Sequence, residues 1–194
     1  MAKQNQNEFR PDQVGKSLLS RLYPTKLQRQ AIKKWLFYAL VLLVVSLAQD
    51  VIMSRVRLFG ATTDLLPCAI FCLCILLGTE DGSVFSLAAS LLYLFSGTSP
   101  GNFAVPLIVF LAVIMNIFRQ SFLRQGFGTT VLCTAGCMVL YELLLFFIGA
   151  VFGWTPWSRM IGFLLTAVYS MAAVPVLYPL YLAIGKMGGQ TWKE

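Results

Sequence analysis

The chain has 194 residues, a formal net charge of +7, 58% hydrophobic and 12% charged residues, and no histidine. Soluble globular domains carry about 25% charged residues, so this composition cannot cover a water-facing surface, and lipid is the solvent that suits it. The missing histidine removes the commonest general base and the commonest nitrogen ligand for a metal.

Residues 1–34 open with a Gln/Asn-rich stretch and carry Lys3, Arg10, Lys16, Arg21, Lys26, Arg29, Lys33 and Lys34 against Glu8 and Asp12. They read as a basic cytoplasmic N-terminal arm, with Lys26, Arg29, Lys33 and Lys34 nearest the anionic headgroups. Two forms of the arm stay open: an amphipathic helix on the membrane surface, or a solvated segment that fixes topology. No cleavable signal peptide is expected, because the first apolar run is long enough to span and stay.

That run, Trp35–Met53, has no charge before Asp50 and matches the roughly 20 residues a bilayer core needs. The next three apolar pieces, Leu65–Leu77, Val84–Phe95 and Phe103–Phe118, are shorter and are separated by Gly78–Gly82 and Ser96–Gly101. They are expected as three helices, with a re-entrant Val84–Phe95 as the alternative. After the basic loop around Arg119 and Arg124 come Thr129–Phe152, an aromatic turn with Trp154 and Trp157, and Met160–Ile184 with Pro175 and Pro179 as expected kink sites. Trp154 and Trp157 are read as an interfacial belt.

The expected fold is therefore all-α: six transmembrane helices over residues 35–185 in one compact bundle, with a short cytoplasmic tail at 186–194. With both termini inside, only Arg55, Arg57 and Arg159 of the fifteen Lys/Arg fall outside, which is the positive-inside arrangement.

Little in the sequence points to chemistry. Cys68, Cys72, Cys74, Cys133 and Cys137 all lie in apolar runs and read as small hydrophobes rather than metal ligands. Neither a Gly-rich phosphate loop nor a Gly-x-Ser-x-Gly elbow is present. No enzyme activity, cofactor or metal is expected.

Glu142 is the exception, a carboxylate inside the fifth span and so a functional candidate by default. It is read as helix–helix glue paired with Arg119 or with Ser or Tyr hydroxyls, as a partner or ligand contact, or as a proton or ion group. Gly82, Ser86 and Ser90 form a small-residue ladder at helical spacing, suited either to internal packing or to docking another membrane protein. Asp64 is placed to cap the second helix.

The order of several short motifs resembles the rod shape-determining protein MreD family. These are Ala48-Gln49-Asp50 at the end of the first span, Arg57-Leu58-Phe59-Gly60, and Thr63-Asp64-Leu65-Leu66, with Thr63 where the family has Pro. They continue with Gly78-x-x-x-Gly82, with Leu92-Tyr93-Leu94-Phe95-Ser96-Gly97, where Tyr93 stands in place of the usual Asp, with Arg119-x-x-Phe122-x-Arg124, and with Leu140-Tyr141-Glu142-Leu143-Leu144.

The resemblance implies a non-enzymatic scaffold in the bacterial cytoplasmic membrane, part of the elongation complex for peptidoglycan synthesis and cell shape. It implies a fold similar to the substrate-binding S components of energy-coupling-factor vitamin transporters, which supply the rival reading. The implied partners are an MreC-like single-span protein and, directly or indirectly, the elongation glycosyltransferase and a class B penicillin-binding protein. MreB filaments are implied indirectly. Anionic lipid and a second copy of the chain are further expected neighbours, and nucleic acid is not. Arg57, Gly60, Asp64, Gly82, Ser86 and Ser90 are the expected partner contacts.

Overall fold

The computed structural model describes residues 26–51, 62–124 and 126–187. Arg55, Arg57 and Gly60, the arm before Lys26 and the tail after Met187 lie outside the described residues. Seven α-helices follow in order: α1 Lys26–Val51, α2 Leu65–Leu77, α3 Thr79–Phe95, α4 Ala104–Phe122, α5 Phe127–Val151, α6 Met160–Met171 and α7 Val174–Met187. Among the described residues there is no strand, so the all-α class is observed.

The second helix is the centre. Every residue from Leu66 to Leu76 is buried, and α2 touches each of the other six helices. Such all-round burial matches its sequence, LLPCAIFCLCILL, which has no polar face. Around it α3, α4, α5 and α6 pack in sequence order, and α7 returns against α1. The outer faces are apolar too. On α1, Leu36, Leu40, Leu43, Leu47 and Val51 recur at helical spacing and are all exposed, a pattern that only hydrocarbon solvates well.

Three helices are long and apolar enough to cross a membrane: α1 from Arg29, α4 and α5. The pair α6–α7, bent by 44°, passes the same test as one unit, which makes up to four. The 13-residue α2 rises only about 20 Å and the 17-residue α3 only about 25 Å, so neither reaches the length of a free-standing span.

Element boundaries differ from expectation in three instructive places. α1 begins at Lys26, so Lys26, Arg29, Lys33 and Lys34 are helical and continuous with the first apolar run. The Gly78–Gly82 segment is not a loop. Gly78 alone turns the chain, at φ +90°, and Thr79–Gly82 already form the first turn of α3. Glu80 and Asp81 sit at that helix's positive end, which favours helix over loop. The break between α6 and α7 falls at Ala172–Ala173, before Pro175. Pro175 occupies the first turn of α7, where a missing N–H is harmless, and Pro179 lies inside α7.

Gly82 shows why α2 and α3 pack so closely. A Cβ placed there would lie 2.7 Å from the Cys74 carbonyl oxygen and 3.0 Å from Asn116 Nδ2. Asn116 in turn donates to the carbonyls of Cys74 and Gly78, at 2.8 and 3.2 Å, clamping the turn from α4.

Candidate functional site

One cluster of polar residues forms at the end of the bundle where α1 finishes and α2 begins. Gln49, near the C-terminus of α1, is 6% exposed. Its Oε1 accepts from the Leu66 backbone N–H at 2.7 Å, while its Nε2 donates to Asp64 Oδ1 at 2.8 Å. Gln49 therefore caps α2 from another helix. Asp64 occupies the N-cap position but makes no side-chain cap bond, which corrects the expectation that it caps α2 itself.

Asp64 is instead a cross-helix acceptor. Its second oxygen takes a hydrogen bond from the Tyr93 hydroxyl of α3 at 2.7 Å. Its backbone N–H donates to Ser170 Oγ of α6 at 2.8 Å, and the Ser170 hydroxyl in turn donates to the Thr166 carbonyl at 2.8 Å. One aspartate thus ties α1, α3 and α6 to the start of α2. Tyr93 is fully buried with its hydroxyl satisfied, so the residue that departs from the family pattern supplies the donor here.

Beside this knot lies a cavity of about 700 Å³, lined among others by Gln49, Asp64, Tyr93, Glu142, Arg159 and Thr166. Glu142 is 4% exposed and makes no hydrogen bond to a described residue. The neighbouring Tyr141 is fully buried, beside Tyr93. Pairing of Glu142 with Arg119 is ruled out. The α5 neighbour of Arg119 is Cys133, and Glu142 lies nine residues further on, about 13 Å along the helix. The cavity thus holds two carboxylates, an amide and a phenol, with the exposed Arg159 guanidinium among its lining residues. That set can accept hydrogen bonds from a cation or an N–H-rich group.

Trp154 and Trp157 flank the same end and are both 69% exposed, Trp154 stacking on Phe152 and Trp157 edge-on to Phe146. Such half-wet aromatics suit a membrane–water boundary.

The small-residue ladder behaves differently from a docking face. Ser86 and Ser90 are fully buried, with hydroxyls donating to the Ser83 and Leu87 carbonyls of their own helix, and Gly82 faces Cys74. The ladder packs the bundle internally, and the expectation of partner contact at Gly82, Ser86 and Ser90 is dropped. Arg57 and Gly60 lie outside the described residues. Lys33 and Lys34 sit on α1, where Lys34 is buried with its ammonium 5.4 Å from the Trp35 ring centroid.

All five cysteines are free and buried, and no group of three His, Cys, Asp or Glu among the described residues is arranged to hold a metal. Comparison with protein-family models, with curated proteins and with solved structures gives no match to this chain.

Proposed function

We propose that the chain is a non-enzymatic membrane scaffold of the bacterial cell-elongation complex, binding an MreC-like single-span partner. The observation that carries this reading is convergence. Gln49, Asp64, Tyr93 and Glu142 come from four separate motifs of the MreD-like pattern, and three are hydrogen-bonded together while the fourth lines the same cavity. Motifs that are weak as strings acquire a common purpose when they meet in one place.

In this reading the chain crosses the membrane six times, with both ends in the cytoplasm. α1 to α5 make five crossings and the bent α6–α7 pair makes one. The short α2 is acceptable as a crossing because the other helices, and not lipid, surround it. The end bearing Asp64 then faces outward. The partner docks there, its juxtamembrane segment offering basic or N–H donor groups to the carboxylates of the cavity.

One observation favours the rival reading, an S component of a vitamin transporter. The cavity has the volume of a small-molecule site, about 300–1,000 Å³. Co-purification separates the two. The full chain in mild detergent should retain an MreC-like partner and release no vitamin on denaturation. A stoichiometric vitamin with no partner retained would replace the scaffold by the transporter component.

A further inference from the structure

We propose that the other end of the bundle carries a specific site for an anionic phospholipid headgroup, built around Arg119. This arginine lies in the last turn of α4 and is only 3% exposed. Its Nε is buried with no hydrogen-bond acceptor, and no carboxylate among the described residues pairs with it. A buried guanidinium nitrogen without an acceptor is costly, and charged groups so placed are normally paired or bind an anion. The carboxyl end of α4 offers only a weak counter-charge.

The surroundings specify what the missing anion looks like. The chain leaves α4 through Leu123 and Arg124 and enters α5 at Phe127. The first turn of α5 holds no acidic residue and its N-cap, Gly126, supplies no side-chain acceptor. The opening amides of a 25-residue helix therefore lie at the same end as Arg119, and such amides favour negative charge. Arg124 is exposed there as a second cation.

The ligand must also be apolar on one side. Phe122, one turn beyond Arg119, is 74% exposed and its ring lies 5.1 Å from that of Phe118, itself 48% exposed. A phosphate against Arg119 with acyl chains along Phe118 and Phe122 satisfies both features. Free phosphate satisfies only the first.

The site differs from the general attraction of the basic helix start to an anionic leaflet. That attraction is screened by salt, whereas a buried pair is screened far less. The experiment uses the full chain in nanodiscs of phosphatidylcholine with a minor fraction of phosphatidylglycerol. Protein-bound lipid is counted by native mass spectrometry, at low salt and at about 1 M salt, where the screening length falls to about 3 Å.

The expected result is enrichment of phosphatidylglycerol that persists at high salt and falls about fivefold in Arg119→Gln, the equivalent of one basic contact near the surface. Arg119→Lys should recover part of it. Should Arg119→Gln fail to fold, Arg124→Gln and Phe122→Ala, both at exposed positions, must lower the salt-resistant enrichment. No enrichment at high salt in the wild type overturns the proposal, as does undiminished enrichment in folded Arg119→Gln. Displacement of the bound lipid by millimolar inorganic phosphate would overturn the lipid assignment in favour of a soluble anion.

Discussion

Gln49→Leu tests the outer polar knot most directly, because one side chain serves two partners there. The substitution orphans the Leu66 N–H, which belongs to a residue with no exposed surface, at a cost of about 2 kcal/mol for a buried unsatisfied donor. It also removes a donor from Asp64, worth about 1 kcal/mol for a hydrogen bond within a membrane protein. The extra apolar burial of Leu returns about 1 kcal/mol, leaving a net loss of about 2 kcal/mol. Tyr93→Phe removes only the other donor to Asp64. With the cavity alongside to admit water, it should cost about 1 kcal/mol or less. Unfolding in mixed detergent micelles with rising SDS, followed by tryptophan fluorescence, gives both values. The double variant should deviate from additivity, because both substitutions act on one carboxylate. A Gln49→Leu protein as stable as the wild type, or one less affected than Tyr93→Phe, would refute the assignment of Gln49 as the cap of α2.

Gly82→Ala should destabilise by about 1–3 kcal/mol through overpacking against the Cys74 carbonyl, visible as lost monodispersity in detergent; an unchanged elution profile would contradict the close α2–α3 approach. Glu142→Leu should leave the melting temperature unchanged or raised, since Glu142 makes no hydrogen bond to a described residue, while retention of an MreC-like partner falls several-fold. If melting drops sharply and partner retention does not, Glu142 is structural glue after all. Reporter fusions that work only outside the cytoplasm should be active after Thr98 or Thr155 and silent after Asp81, Gln125 or Gly189. Activity at Gly189 would remove the six-crossing arrangement.

The sequence was most legible where a single physical rule dominates. Long apolar runs placed α1, α4 and α5 to within a turn or so at most of their ends, α1 apart at its start. The proline pair located the bend between α6 and α7 only approximately, because Pro175 opens a helix and does not break one. The Gly78–Gly82 segment misled because Gly, Thr, Glu and Asp are read as loop formers, yet Glu and Asp are equally favoured in a first helical turn. The polar knot was half legible. Gln49, Asp64 and Glu142 stand out as polar residues in apolar surroundings, but their pairing depends on helix order around α2, which no local pattern carries. Tyr93 was marked only by standing where the resembled family has Asp; its role as donor was not legible, since an aromatic in an apolar helix reads as ordinary core. Arg119 read as a loop cation and proved to be buried in a helix that runs about one turn past the expected end of the apolar run.

The central position of α2 has a consequence for biogenesis. A helix whose whole circumference is covered by protein gains nothing from lipid contact, and a 13-residue segment is a poor candidate for insertion by itself. In the six-crossing reading, the Gly78 turn joins it to α3 tightly enough for the two to enter the bilayer as one hairpin, with α3 supplying the exposed apolar surface through Val84, Leu87 and Leu91. Until α4 to α7 have been synthesised, much of α2 has nothing to pack on, so the nascent chain stays open to a chaperone or insertase until α7 closes against α1. Removing the α6–α7 pair should therefore expose the core of the protein instead of yielding a smaller folded one.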